Sequence, residues 1–188
     1  MIPVKMNQVN QSAFELYQTY YHELTAALTE NSSVMEFSDL PIKVYPALQT
    51  TKPKVFFLGI NPSFSTSVFQ NFQGEDWSKC SEWFSWRAME QSGVDGYNYL
   101  RITHFDESVS AQTGKGEHRY FKAIRSFLKE VYGHEFDVQQ DLFHFDLFQY
   151  RCTSQREFVK AVRRMKNAGP FIARSFELVK MAVDLVQP

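Results

Sequence analysis

Lys54-Val55-Phe56-Phe57-Leu58-Gly59-Ile60-Asn61-Pro62-Ser63-Phe64-Ser65 is the stretch on which the fold turns. Its apolar run is short, rich in β-formers and bracketed by Pro53 and Pro62, which fits a fully buried parallel strand better than a helix. The run ends abruptly at Gly59, where the missing Cβ lets backbone or ligand come close. Pro62 fixes its own φ and pushes Asn61 towards an extended conformation, so the Asn61 amide is held on a stiff turn. In open α/β sheets ligands sit beyond the carboxyl ends of the strands, and this turn belongs there.

Working outward, Leu142 to Phe148 reads as a second strand, short and aromatic, with Asp146 near its end. Helices surround the two strands. Ser12 and Glu15 form a capping box before Phe14, Tyr17, Tyr20, Tyr21, Leu24 and Leu28, which places a helix up to Asn31 within an N-terminal block of residues 1–31. Tyr120, Phe121, Ile124, Phe127, Leu128 and Val131 form a stripe expected to cover the sheet, ended by a C-cap near Gly133. A capping box at Ser154 and Glu157 opens a helix with Phe158, Val162 and Met165, expected to stop at Gly169 and Pro170. A further helix carries Phe176, Leu178, Met181, Ala182, Leu185 and Val186. Residues 32–53 read as an irregular connection. A long insertion over residues 66–116 holds Trp77, Trp83 and Trp86, with a helix expected over Asp76–Ala88.

The 188 residues, 44% of them hydrophobic, fit one compact domain over 1–188. A formal charge of −1 provides no global field to draw the chain to nucleic acid, so any DNA contact must be local. Residues 151–188 nevertheless carry eight Lys/Arg against three acidic residues, a local surplus that suits a solvated helix face or a phosphate-contacting surface. Cys80 and Cys152 are far apart and lack ligand spacing, which argues against a disulfide scaffold and a zinc site. With no apolar segment of signal-peptide or membrane-spanning length, the expectation is a cytoplasmic protein without membrane contact. Metalloprotease, nucleophile-elbow and phosphate-loop motifs are absent, and neither metal nor cofactor is expected. Gly114-Lys115-Gly116 reads as a flexible joint.

Leu58-Gly59-Ile60-Asn61-Pro62 resembles the first active-site motif of the uracil-DNA glycosylase superfamily, in particular its mismatch-specific and single-strand-selective branches, with Ser63 where those carry glycine. His118 to Ile124 resembles a segment following that motif in the mismatch-specific branch, and Phe176 to Pro188 resembles the helix before the third strand. The resemblance spans about residues 52–188. It implies a three-layer α/β/α fold on a short central parallel sheet, incomplete at the C-terminus because the last helix points into a strand that does not follow.

The same resemblance implies hydrolysis of an N-glycosidic bond to a base flipped out of single-stranded or mismatched DNA, with no metal and no cofactor. Asn61 then orients the attacking water; Gly59, Ile60, Pro62 and Ser63 line the site; Phe72 or Phe69 stacks on the base; Asp146 reads the base edge. The chemistry suits a neutral amide, because the base leaves as an anion from an oxocarbenium-like sugar and water adds with little need of a strong base. An aspartate at position 61 would add charge stabilisation. Asp146 stands where relatives frequently carry asparagine, and a carboxylate accepts from uracil N3–H but repels O4. Asp146 also suits a cap on the loop from Gln149 to Ser154. The family's second motif, His or Asn followed by Pro and Ser near the C-terminus, does not follow the Asp146 strand. Two other readings stay open: a non-catalytic nucleic-acid- or protein-binding module on the same fold, and an unrelated three-layer domain holding a small ligand at the Asn61 turn.

Overall fold

The computed structural model describes residues 4–28, 45, 53–61, 119–133, 136, 141–150 and 154–187, with backbone only for 4–7, 119–122 and 125. Four helices and two strands lie within them: α1 Val4–Leu28, β1 Val55–Gly59, α2 Arg119–Tyr132, β2 Leu142–Asp146, α3 Gln155–Arg164 and α4 Ala168–Val186. The architecture is a mixture of helices with a small two-stranded parallel sheet. The expected insertion helix, Gly114–Gly116, Pro62, Ser63, Phe69 and Phe72 lie outside the described residues.

β1 and β2 run parallel, with Val55 opposite Leu142, Leu58 opposite Phe145 and Gly59 opposite Asp146. Lys54 Nζ and Asp141 Oδ2, 3.1 Å apart, pin the start of the pair. At the other end the Leu147 and Phe148 N–H groups donate to the Gly59 and Ile60 carbonyls, so the two chains stay tied beyond the last strand residue. β2 therefore ends at Asp146 rather than Phe148, its continuation bending while still bonded to β1.

Alternation gives the sheet two unlike faces. Phe56, Phe143 and Phe145 project towards Val9 of α1 and towards Val179, Met181, Ala182 and Leu185 of α4, with Tyr45 stacked on Phe145 at 4.3 Å. Val55, Phe57, Leu142, His144 and Asp146 occupy the opposite side. The expectation of a fully buried β1 fails: Leu58 is 40% exposed and Val55 to Phe57 are only half-buried. The apolar length of the run reports strand formation, and the degree of cover is set by neighbours remote in sequence.

The larger core lies between α1, α3, α4 and the turn after β2, where Leu16, Tyr17, Leu24, Phe148, Phe158, Val162, Met165, Phe171 and Leu178 meet. Phe148 stacks on Phe171 with rings 2° from parallel, and Tyr17 meets Phe171 edge-on. Phe158, Val162 and Met165 are buried as expected. Ser154 caps α3, its Oγ accepting from the Glu157 N–H at 3.3 Å, but the capping box is half made because the Glu157 carboxylate turns to Lys160.

Three helix boundaries and two apolar faces differ from expectation. α1 begins at Val4, so Ser12 is a helix-interior residue and caps nothing; the inward row Val9, Ala13, Leu16, Tyr17, Leu24 already runs through it. Gly169 and Pro170 open α4 instead of closing α3, which ends at Arg164. Proline fits the first turn because an N–H there has no intrahelical acceptor to lose. In α4 the buried row is Phe171, Ser175, Leu178, Ala182 and Val186, leaving Phe176 52% exposed. Among the stripe residues of α2 whose side chains are described, Leu128 is buried and Ile124 half-buried, while Phe127 and Val131 face solvent instead of covering the sheet. Gly133 ends α2 as expected, in the left-handed region at φ 82°, its N–H donating to the Lys129 carbonyl. Among the described residues no helix is long and apolar enough to cross a membrane.

Candidate active site at the carboxyl ends of the strands

The ends of β1 and β2 bring Gly59 and Asp146 directly together, with Asn61 two residues beyond on the β1 side. Asn61 is half-buried, and Ile60 between them is exposed. The Gly59 backbone lies so near two polar side chains that a Cβ there would meet Asp146 Oδ1 and, at 2.8 Å, His144 Nε2, both under 3.0 Å. The close approach anticipated at Gly59 is thus made by this chain's own His144 and Asp146.

Asp146 is 1% exposed, and the surroundings of its carboxylate are polar. The Tyr45 hydroxyl donates to Oδ2 at 3.1 Å, and the same hydroxyl accepts from the Asp146 N–H at 2.8 Å. That N–H points away from β1, because the next one, Leu147 N–H, is the one bonded to Gly59. The phenol therefore closes the outer edge of β2 and holds the carboxylate at once. On the other side, His144 Nε2 lies 3.5 Å from Asp146 Oδ1.

Tyr45 is itself held by α1. The Asn10 amide donates to the Tyr45 carbonyl at 2.9 Å and accepts from its N–H at 3.1 Å, both bonds buried, in the way a neighbouring strand would pair with it. The turn after β2 is fixed with equal care. Gln149 Nε2 donates to the Asp146 carbonyl at 2.8 Å, and the Tyr150 N–H donates to the Tyr17 hydroxyl at 3.2 Å. Burial pushes the Tyr17 phenol far above its ordinary titration range, against the smaller pull of the Tyr150 N–H, so it stays a neutral hydroxyl. Gln149 caps the Asp146 carbonyl and the carboxylate holds Tyr45, while residues 151–153 of the loop that Asp146 was expected to cap lie outside the described residues.

Of the residues expected at the site, Gly59, Ile60, Asn61 and Asp146 gather at one end of the strand pair. His144, Tyr45 and Asn10 were not anticipated there. The signal for His144 was available, since His-x-Asp in a strand puts both side chains on one face. Tyr45 and Asn10 carry no local signal, because their partners lie 101 and 35 residues away. Among the described residues no group of three or more His, Cys, Asp or Glu is close enough to hold a metal ion. Comparisons of the chain with protein-family models, with curated proteins and with solved structures find no match in any of the three.

Proposed function

We propose that this chain is a uracil-DNA glycosylase-like domain of three-layer α/β/α type, acting on the N-glycosidic bond of a base flipped out of single-stranded or mismatched DNA. The observation that carries the reading is the parallel register that sets Gly59 against Asp146, with Asn61 just past the strand end, where α/β sheets receive ligands. The Gly-Ile-Asn-Pro motif supplies the chemistry. Asn61 orients the water, which adds to C1′ after the C1′–N bond has broken and its electron pair has left with the base. The polar groups near the strand end favour a departing anion when they donate hydrogen bonds to it. Extrusion of the base costs least where pairing is absent or faulty, which suits single-stranded and mismatched substrates. Pro62, Ser63 and Phe72 complete the proposed site by resemblance alone.

The test is release of uracil from single-stranded and mismatched oligonucleotides, with Asn61→Ala beside the wild type. Loss of release in the variant supports the assignment; full activity in the variant refutes the role of Asn61.

A second reading is a binding module on the same fold, and one observation favours it: the Asp146 carboxylate is buried and engaged by Tyr45. Exposed Arg156, Arg163, Arg164 and Lys166 on and after α3 then provide the phosphate contacts. Oligonucleotide binding that weakens steeply with salt, without base release, selects this alternative.

A further inference from the structure

We infer that the outer edge of β1 is where two copies of this chain join, strand against strand about a two-fold axis at Phe57, each small sheet continuing into the other. The inference goes beyond the proposed activity and does not depend on it. It starts from a difference between the two edges of the sheet. The outer edge of β2 is closed at Asp146, whose N–H donates to the Tyr45 hydroxyl. On β1 the bond from the Leu147 N–H to the Gly59 carbonyl fixes the alternation: Val55, Phe57 and Gly59 turn their backbone groups to β2, and Phe56 and Leu58 turn theirs outward. Among the described residues nothing pairs with that outward row.

The side chains agree with the backbone. Leu58 and Ile60 are 40% and 39% exposed, although β1 carries no polar side chain. The strand also lacks the devices that keep edges from pairing: its register with β2 is unbroken by a bulge, and neither a charge nor a proline falls within Val55–Gly59. A two-stranded parallel sheet is marginal in water and gains from a further strand. Only extended backbone offers donors and acceptors that match this row.

What selects a second copy as that backbone is the self-complementarity of the edge. Turned about Phe57, each Phe56 lies opposite the partner's Leu58, and the two exchange both N–H···O=C bonds as an antiparallel hydrogen-bonded pair. The exposed Leu58 side chain then meets the partner's Phe56 on one face of the joined sheet, and the two Phe57 rings meet across the axis on the other. Such a contact is isologous and closes at two copies.

The experiment is sedimentation equilibrium of the full chain over a range of concentrations, with amide hydrogen exchange at Phe56 and Leu58 measured at both ends of that range. A monomer–dimer equilibrium is expected, with both amides exchanging more slowly in the concentrated sample. Leu58→Pro deletes the outward donor in both copies without touching a bond to β2, and should raise the dimer Kd about tenfold or more. Leu58→Lys keeps the donor but charges an exposed edge position, so it should raise the Kd in the same sense and carries the test if the proline variant does not fold. A dimer whose Phe56 and Leu58 amides ignore dilution, or whose Kd ignores both substitutions, joins elsewhere and overturns the inference. Assembly beyond two copies overturns it as well, since this pairing closes at two. So does a chain that stays monomeric at every concentration, whether those amides are protected by its own backbone or exchange freely.

Discussion

The two faces of β2 show how one five-residue strand serves two purposes. Phe143 and Phe145 enter an aromatic and aliphatic layer with Tyr45, Val9 and Ala182, where burial is the driving force. His144 and Asp146, one residue out of phase, build a polar arrangement that a hydrophobic core would exclude unless every group found a partner. The first face needs volume and shape. The second needs particular atoms at particular distances, and it depends on an absent side chain at Gly59. The comparison teaches that the aromatic face and the helices behind it hold the fold by burial, while the His144–Asp146 face is held by a few specific polar contacts and can be altered with smaller loss of stability.

The largest expected effect lies on the packed side. Phe171→Ala removes the ring on which Tyr17 and Phe148 converge and should cost about 3–5 kcal/mol in chemical denaturation. A cost under about 1 kcal/mol would show that the helical core behind the sheet does not hold the fold. Next, Gly59→Ala forces Asp146 and His144 aside, with an expected loss of about 1–3 kcal/mol and disturbance of the His144 ring signals. A silent Gly59→Ala would show that the polar face is looser than described. Asn10→Ala should cost a similar 1–3 kcal/mol, on the order expected when buried partners lose their hydrogen bonds, and should disturb His144 through Tyr45 although the two are not in contact.

Smaller effects sharpen the picture at the helix ends. Gly169→Ala meets no atom within 4 Å in the first turn of α4 and should stabilise by roughly 0.5–1 kcal/mol. Glu23 on α1 accepts from the Asn167 amide and N–H at the start of α4, and those bonds lower its pKa. A carboxylate with a depressed folded pKa adds stability above its ordinary titration range and loses it as pH falls through the folded value. Glu23→Gln should therefore flatten the acid limb of a thermal melt followed between neutral and acid pH, with little change at constant low pH.

What the sequence discloses follows the range of the interactions. β1, β2, the Asp146 strand end, the Ser154 cap and the Gly133 stop are set by residues within a few positions of one another, and each is legible. Ser12 misleads because a helix interior tolerates serine, and the row that begins at Val9 is interrupted by Asn10, a polar residue buried for the sake of Tyr45. Gly169-Pro170 misleads because the pair that ends one helix equally opens another when it falls in a first turn. Phe127, Val131 and Phe176 belong to helical stripes broader than the surfaces they meet, so periodicity identifies the helix but not every buried member. The candidate site divides in the same way. Gly59, Asn61 and Asp146 stand out locally, while Tyr45 and Asn10 acquire their roles only when the chain brings distant segments together.

The most direct measurement of the central claim is single-turnover release of uracil from a single-stranded oligonucleotide by wild type, Asn61→Ala and Asn61→Asp. The account predicts a graded series, with alanine slowest by about a hundredfold and aspartate fastest, since a carboxylate adds charge stabilisation to the sugar cation. Equal rates in all three proteins would contradict it.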